Sequence, residues 1–215
     1  YQGEPVEWRV LDKKDGEILL LSEYGLDAQP FDTSGKSRVD WKDSTIRKWL
    51  NDDFYNSAFS EKEKENIVES KSEGFEEYNT SMNLTGGGKP YAYLEREIED
   101  KVFLLSNTEL CAYFWEDPYA GCYSDPYPHK ELLCYPTAYA KQQLETRYQT
   151  ETCGWWLCNH VYEDDSVELV SAYGQGSGTS RENIKANTKS IAVRPAMWVT
   201  WQSDMEMVEA NQQVE

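Results

Sequence analysis

The residues able to do chemistry in this chain gather in its last third. Cys158 and His160 stand two positions apart, so on a strand their side chains share a face. A thiol beside an imidazole begins a nucleophilic pair, but activation also needs an orienting group, and no residue of the sequence can be named for it. Just downstream, Glu163, Asp164, Asp165 and Glu168 offer carboxylate oxygens of the kind calcium takes, in a spacing that fits no known loop such as the EF-hand. Zinc asks for about four Cys or His ligands in paired spacings. Here His129 and His160 are isolated, and Cys111, Cys122, Cys134, Cys153 and Cys158 contain no Cys-x-x-Cys. The odd cysteine count leaves at least one thiol free or bonded to another chain. Gly86-Gly87-Gly88-Lys89-Pro90 is no phosphate loop, because Asn83 replaces the earlier glycine and Pro90 the hydroxyl residue. The expectation is a binding domain and not an enzyme, with no cofactor; calcium is the one ion left open.

What must position those residues is Gly154-Trp155-Trp156-Leu157-Cys158-Asn159, read as a strand paired with 191–199. Adjacent tryptophans on a strand point to opposite faces. One anchors a core, and the other props a loop or lines a groove. Between the two strands runs a polar, aromatic and glycine-rich stretch, including His160-Val161-Tyr162-Glu163-Asp164-Asp165 and Ser171-Ala172-Tyr173-Gly174-Gln175. A rigid frame presenting such a surface is how many binding sites are built. The expected ligand face comprises Trp155, Trp156, Asn159, His160, Tyr162, Asp164, Tyr173 and Gln175. A sheet core with ordinary loops is the plainer reading of the same residues.

Composition narrows the partner. Acidic residues outnumber basic ones 39 to 21, a net charge of -18. Nucleic acid and anionic lipid are repelled at long range, so a protein or glycan ligand is expected and nucleic acid is not. No run of about 18 apolar residues is present, so no membrane insertion is expected. Eight tryptophans and 15 tyrosines supply both core and recognition surface. The length suits one domain over 1–201, with 202–215 a polar tail expected to be disordered.

In chain order, residues 6–12 alternate with period two and 17–22 carry the run Ile18-Leu19-Leu20-Leu21, joined by an Asp15-Gly16 turn: an N-terminal hairpin with a buried second strand. Asp43 or Ser44 caps a helix with Ile46, Trp49, Leu50 and Phe54 on one stripe. Ser60 and Glu63 form a capping box for a short helix through Ile67. Residues 70–100 and 115–135 read as long loops. Residues 101–106 read as a buried strand, and a helix capped by Asn107 or Thr108 runs to Phe114. Residues 136–141 read as a short helix with Pro136 in its first turn. Strands are expected at 154–159, 167–173 and 191–201, with Pro195 placing the last at an edge or a bulge. The class is α+β, mixed or antiparallel sheets with short helices and long irregular loops, the N- and C-terminal strands neighbours in one sheet.

These segments resemble a bacterial family of domains of unknown function, common in gut Firmicutes. The matching pieces include Val6-Glu7-Trp8-Arg9-Val10-Leu11, Leu26-Asp27-Ala28-Gln29-Pro30-Phe31, Trp41 through Phe54, Asp100-Lys101-Val102-Phe103-Leu104-Leu105-Ser106, Pro136-Thr137-Ala138-Tyr139-Ala140, Gly154-Trp155-Trp156-Leu157 and Val193-Arg194-Pro195-Ala196-Met197-Trp198. That family is similar to the C-type lectin-like fold in the variety shared with formylglycine-generating enzymes. The likeness implies an extracellular or cell-surface setting within a larger bacterial or phage protein. It also implies an alternative function, a copper-dependent thiol oxidase with Cys153 and Cys158 in the region of the metal site; a purely structural module of a larger surface protein is the other alternative. After the tryptophans the family continues Arg-Ser-Pro-Gly, whereas this chain reads Cys158-Asn159-His160-Val161. Some C-type lectin-like proteins are the variable proteins of diversity-generating retroelements, whose randomised asparagine codons yield the Asn, Asp, Tyr, His, Ser, Cys and Gly in which 158–176 is rich. Ordinary loop drift favours the same residues.

Overall fold

The computed structural model describes residues 1–36, 39–71, 99–114, 129–145, 150–160, 167–175 and 185–201. The glycine run 86–88, most of both long loops, Tyr162, Asp164 and the tail 202–215 lie outside them.

The chain opens with the expected hairpin. Strands β1 (Trp8–Lys14) and β2 (Glu17–Ser22) pair antiparallel, with Lys14 opposite Glu17. Asp15 and Gly16 between them take φ of 54° and 83°, the left-handed pair of a type I′ turn, whose twist matches that of the strands it joins. β2 is central because strand β8 (Ala196–Thr200) pairs antiparallel along its other edge, which explains its continuous apolar run. Strand β3 (Ile67–Val68) completes a sheet of order β1-β2-β8-β3. Two smaller antiparallel sheets join β4 (Ser70–Lys71) to β5 (Glu99–Asp100) and β6 (Trp155–His160) to β7 (Val167–Val170). With its short helices the domain is α+β with open antiparallel sheets.

The expected pairing of 154–159 with 191–199 reduces to a single parallel bridge between Trp155 and Ala192. Ala192 N–H donates to Gly154 O at 2.8 Å, and Trp156 N–H donates to Ala192 O at 3.1 Å. Pro195 divides the segment. Before it, the chain runs beside Gly154. After it, the chain enters β8, while Pro195 O accepts from Ser22 N–H at 2.9 Å. The proline therefore stands ahead of the strand, where its missing N–H costs no ladder bond.

Ser44 caps helix α1 (Thr45–Trp49) by accepting from Arg47 N–H. A π-helical turn, Leu50–Phe54, and helix α2 (Tyr55–Ala58) continue it. Ile46, Leu50 and Phe54 are buried, while Trp49 is half-buried against the core. The Ser60–Glu63 capping box starts helix α3 (Glu61–Lys64), which stops short of Ile67 because that residue joins β3.

Residues 101–106 form no strand, although 102–106 are buried. One bridge, Phe103 to Ala196, is their only ladder contact among the described residues. The Asn51 side chain substitutes for a neighbouring strand: its Oδ1 accepts from Lys101 N–H at 2.9 Å and Val102 N–H at 3.1 Å, and its Nδ2 donates to Val102 O at 2.8 Å. Buried backbone groups need partners, and here one amide supplies three. Helix α4 (Asn107–Phe114) is capped one residue earlier than expected, by a Ser106–Glu109 box with Ser106 N–H to Glu109 Oε2 at 2.7 Å and Glu109 N–H to Ser106 Oγ at 3.1 Å. Thr137 caps helix α5 (Ala138–Gln143), leaving Pro136 outside it. One apolar cluster joins all parts, from Leu19 and Leu21 through Phe31, Trp41 and Phe54 to Trp155, Trp156 and Val193.

Candidate functional site

Trp155 and Trp156 are both 0% exposed. They point to opposite sides of β6, as adjacent strand residues must. Trp155 Nε1–H donates to Leu132 O at 3.1 Å, and Trp156 Nε1–H donates to Gln29 O at 3.0 Å. Trp156 also sets its ring edge-on to Phe31, 6.0 Å away. Each indole thus satisfies its one donor inside the fold, and neither presents surface to a ligand. They are the frame that holds the hairpin.

The hairpin separates the remaining expected residues. In the β6–β7 register Trp155 lies opposite Val170, and His160 opposite Val167. Asn159 and His160 therefore stand at one end, while Tyr173 and Gln175, beyond Val170, stand at the other. Tyr162 and Asp164 lie outside the described residues.

At the first end, Asn159 Oδ1 accepts from Asn107 N–H at 2.7 Å, docking the start of α4 against β6. Asn107 Nδ2 in turn donates to Glu168 Oε2 at 2.9 Å. Burial pushes the Glu168 carboxyl up to about 7, against the opposing effect of that hydrogen bond. A carboxyl so buried and already bonded to Asn107 is a poor calcium ligand, and Glu163, Asp164 and Asp165 lie outside the described residues. No group of three or more potential metal ligands occurs among the described residues.

At the other end, residues 171–175 make a tight turn. Ser171 Oγ accepts from Tyr173 N–H at 3.3 Å and Gln175 N–H at 3.2 Å, and Ser171 N–H donates to Gln175 O at 2.9 Å. Gly174 takes φ of 74°, and a Cβ there would stand 2.5 Å from His129 O. Only glycine permits this approach. Tyr173 is left 52% exposed beside it.

Two further features carry no clear mark in the sequence. Tyr24 and Tyr135, 37% and 47% exposed, are with Tyr173 the exposed large hydrophobic side chains of the described residues. Gly25 N–H donates to Tyr135 O at 3.0 Å, and Gly25 bridges Pro136, so Tyr24, Tyr135 and Tyr173 come from three segments that meet along 129–136. Tyrosines scattered among 15 carry no sequence signal of exposure. The other feature is Arg194, fully buried, with Nε donating to Ser22 O at 2.7 Å and its guanidinium carbon 5.0 Å from the Trp155 ring centroid. Its Nη1 and Nη2 have no hydrogen-bond partner among the described residues. A lone charge inside Ile191-Ala192-Val193-Arg194-Pro195-Ala196-Met197 was the available signal.

Cys134, Cys153 and Cys158 are free and buried, while Cys111 is disulfide-bonded. Cys158 lies along β6 with its N–H on Leu105 O at 3.1 Å, and Cys153 pairs with Cys134 across an antiparallel backbone bridge.

No curated protein and no solved structure matches the chain. Residues 15–201 match the family model described as Domain of unknown function (DUF6273), and the chain belongs to that family.

Proposed function

We propose that this chain is a non-enzymatic ligand-binding domain of C-type lectin-like fold, taking a protein or glycan and displayed outside the cell within a larger bacterial or phage protein. The observation that carries the reading is the set of three exposed tyrosines, Tyr24, Tyr135 and Tyr173, set on a strip whose backbone is fixed by close contacts at Gly25 and Gly174. Tyrosine offers a large amphipathic contact area at a cost of only two side-chain torsions. The net charge of -18 favours neutral or cationic ligands. The adjacency of β2 and β8 agrees with the lectin-like reading. The disulfide at Cys111 agrees with an oxidising compartment. The change from an internally packed frame at Trp155-Trp156 to the unfamiliar sequence after Leu157 keeps the retroelement variable-protein reading in play, with His160, Tyr162 and Asp164 as its display residues.

The experiment is an array of glycans and of bacterial and host surface proteins, probed with the parent and two folded variants. One replaces Tyr24, Tyr135 and Tyr173 with serine; the other replaces His160, Tyr162 and Asp164 with alanine. Loss of hits in the first variant supports the tyrosine face. Loss in the second alone moves the site to the display loop. Hits unchanged in both, or no hits for the parent, would overturn the reading. A reverse-transcriptase gene beside a near-copy of the segment encoding 155–199 is the corresponding test of diversification.

A further inference from the structure

Cys134 and Cys153 oppose each other in an antiparallel bridge, with Cys153 N–H donating to Cys134 O at 2.8 Å and Cys153 Sγ 3.5 Å from the same oxygen. Both sulfurs rest against Gly25. A Cβ on that residue would stand 3.3 Å from Cys153 Sγ, 3.4 Å from Cys134 Sγ and only 2.8 Å from Ala192 Cβ. Directly opposed residues of an antiparallel pair hold their Cβ atoms about 4.5–5.5 Å apart, and a disulfide asks for about 3.5–4.5 Å. A small closure therefore suffices to join them.

The buried Arg194 guanidinium acts on both thiols. Of the other charged groups that act on it, Glu23 is held by Arg9 in a two-bond ion pair, at 2.8 Å and 2.7 Å, and Arg9 is itself a cation. Arg194 Nη1 and Nη2 have no hydrogen-bond partner among the described residues, Cys134 Sγ included, so the guanidinium acts on the thiols through space. The Cys153 thiol pulls the Cys134 thiol below its ordinary range by hydrogen bonding to the thiolate, and Arg194 adds to this against the effect of burial. Cys153 is pushed the other way, chiefly by that same hydrogen bond. Each sulfur also faces a backbone carbonyl, Cys134 Sγ 3.9 Å from Tyr135 O and Cys153 Sγ 3.5 Å from Cys134 O.

We propose that Cys134 and Cys153 are a redox pair that a small hydroperoxide closes to a disulfide. The Cys134 thiolate takes one oxygen of the hydroperoxide, breaking its O–O bond, and becomes a sulfenic acid; the other oxygen leaves as hydroxide or alkoxide. Cys153 Sγ then attacks the Cys134 sulfur. The S–S bond forms as the S–O bond breaks, and the departing hydroxide leaves as water with the Cys153 proton. The two sulfurs together lose two electrons and the hydroperoxide gains them. At 1% and 7% exposure, Cys134 and Cys153 admit a molecule of that size more readily than a protein disulfide. This inference stands whatever the surface tyrosines bind.

The test uses the full chain, reduced and desalted, then titrated with hydrogen peroxide, quenched, denatured, alkylated and mapped by mass spectrometry without reductant. The expected product is a Cys134–Cys153 linked peptide that dithiothreitol reverses, while Cys158 remains alkylated. In C153S, dimedone should trap the sulfenic acid on Cys134. Arg194→Met should slow closure by about threefold or more, since losing thiolate outweighs the gain in intrinsic nucleophilicity. If that variant does not fold, the parent's closure rate against pH serves instead, with a midpoint below that of a free thiol, about 8.5. The proposal is overturned if Cys134 and Cys153 are alkylated as fully as Cys158 after peroxide, if the link joins other cysteines, or if the rate midpoint lies at or above the free-thiol value.

Discussion

Replacing Glu168 with glutamine should stabilise the domain, and chiefly at the higher end of the pH range. The folded-state pKa of Glu168 is pushed up to about 7 from a usual 4.5, mainly by burial. Between those values the folded chain binds a proton that the unfolded chain has released. The contribution is therefore fully present below about pH 4.5 and is lost as pH rises through about 7. A tenfold difference in proton affinity between the folded and unfolded chain is worth about 1.4 kcal/mol, so above neutrality the ionised side chain costs up to about 3 kcal/mol. Glutamine keeps an acceptor for Asn107 Nδ2 and never ionises. Urea unfolding of parent and Glu168→Gln at about pH 5 and about pH 8 measures the difference directly, and titrations shared by the two proteins cancel. The expected result is a variant more stable by under about 1 kcal/mol at the lower pH and by about 3 kcal/mol at the higher. A stability difference that does not change with pH would refute the burial of that carboxyl.

Asn51→Ala should cost about 2–5 kcal/mol in chemical denaturation, because it orphans the N–H groups of Lys101 and Val102 and the Val102 carbonyl. A loss below about 1 kcal/mol would mean that water or a shifted strand replaces the amide. The fold should not depend on metal. Melting curves with and without excess EDTA should coincide, and a fall of more than about 10 °C would reveal a structural ion, since about 1 kcal/mol moves a domain of this size by about 2–4 °C.

Features written in a few neighbouring residues were legible in the sequence. Asp15-Gly16 needs two left-handed residues and so specifies its turn; Ser60 and Glu63 satisfy each other's backbone across one helical turn; the run Ile18-Leu19-Leu20-Leu21 marks a strand covered on both faces. The opposed directions of Trp155 and Trp156 follow from strand geometry alone. Tertiary structure decided whatever depends on partners distant in the chain. The expected adjacency of the N- and C-terminal strands is met by β2 and β8, but the sequence could not show that before Pro195 only Ala192 reaches β6. Nor could it show that Lys101 and Val102 would bond to a side chain on a π-helical turn while the segment meets β8 only at Phe103. For the site, residue type identified side chains suited to recognition, but exposure is a property of the packed whole. Both tryptophans went inside, the hairpin register placed Asn159 and Tyr173 at opposite ends, and Tyr24 and Tyr135 came to the surface. Cys134 and Cys153 became neighbours only because distant segments converge on Gly25 beside Ala192, a contact that no local spacing encodes.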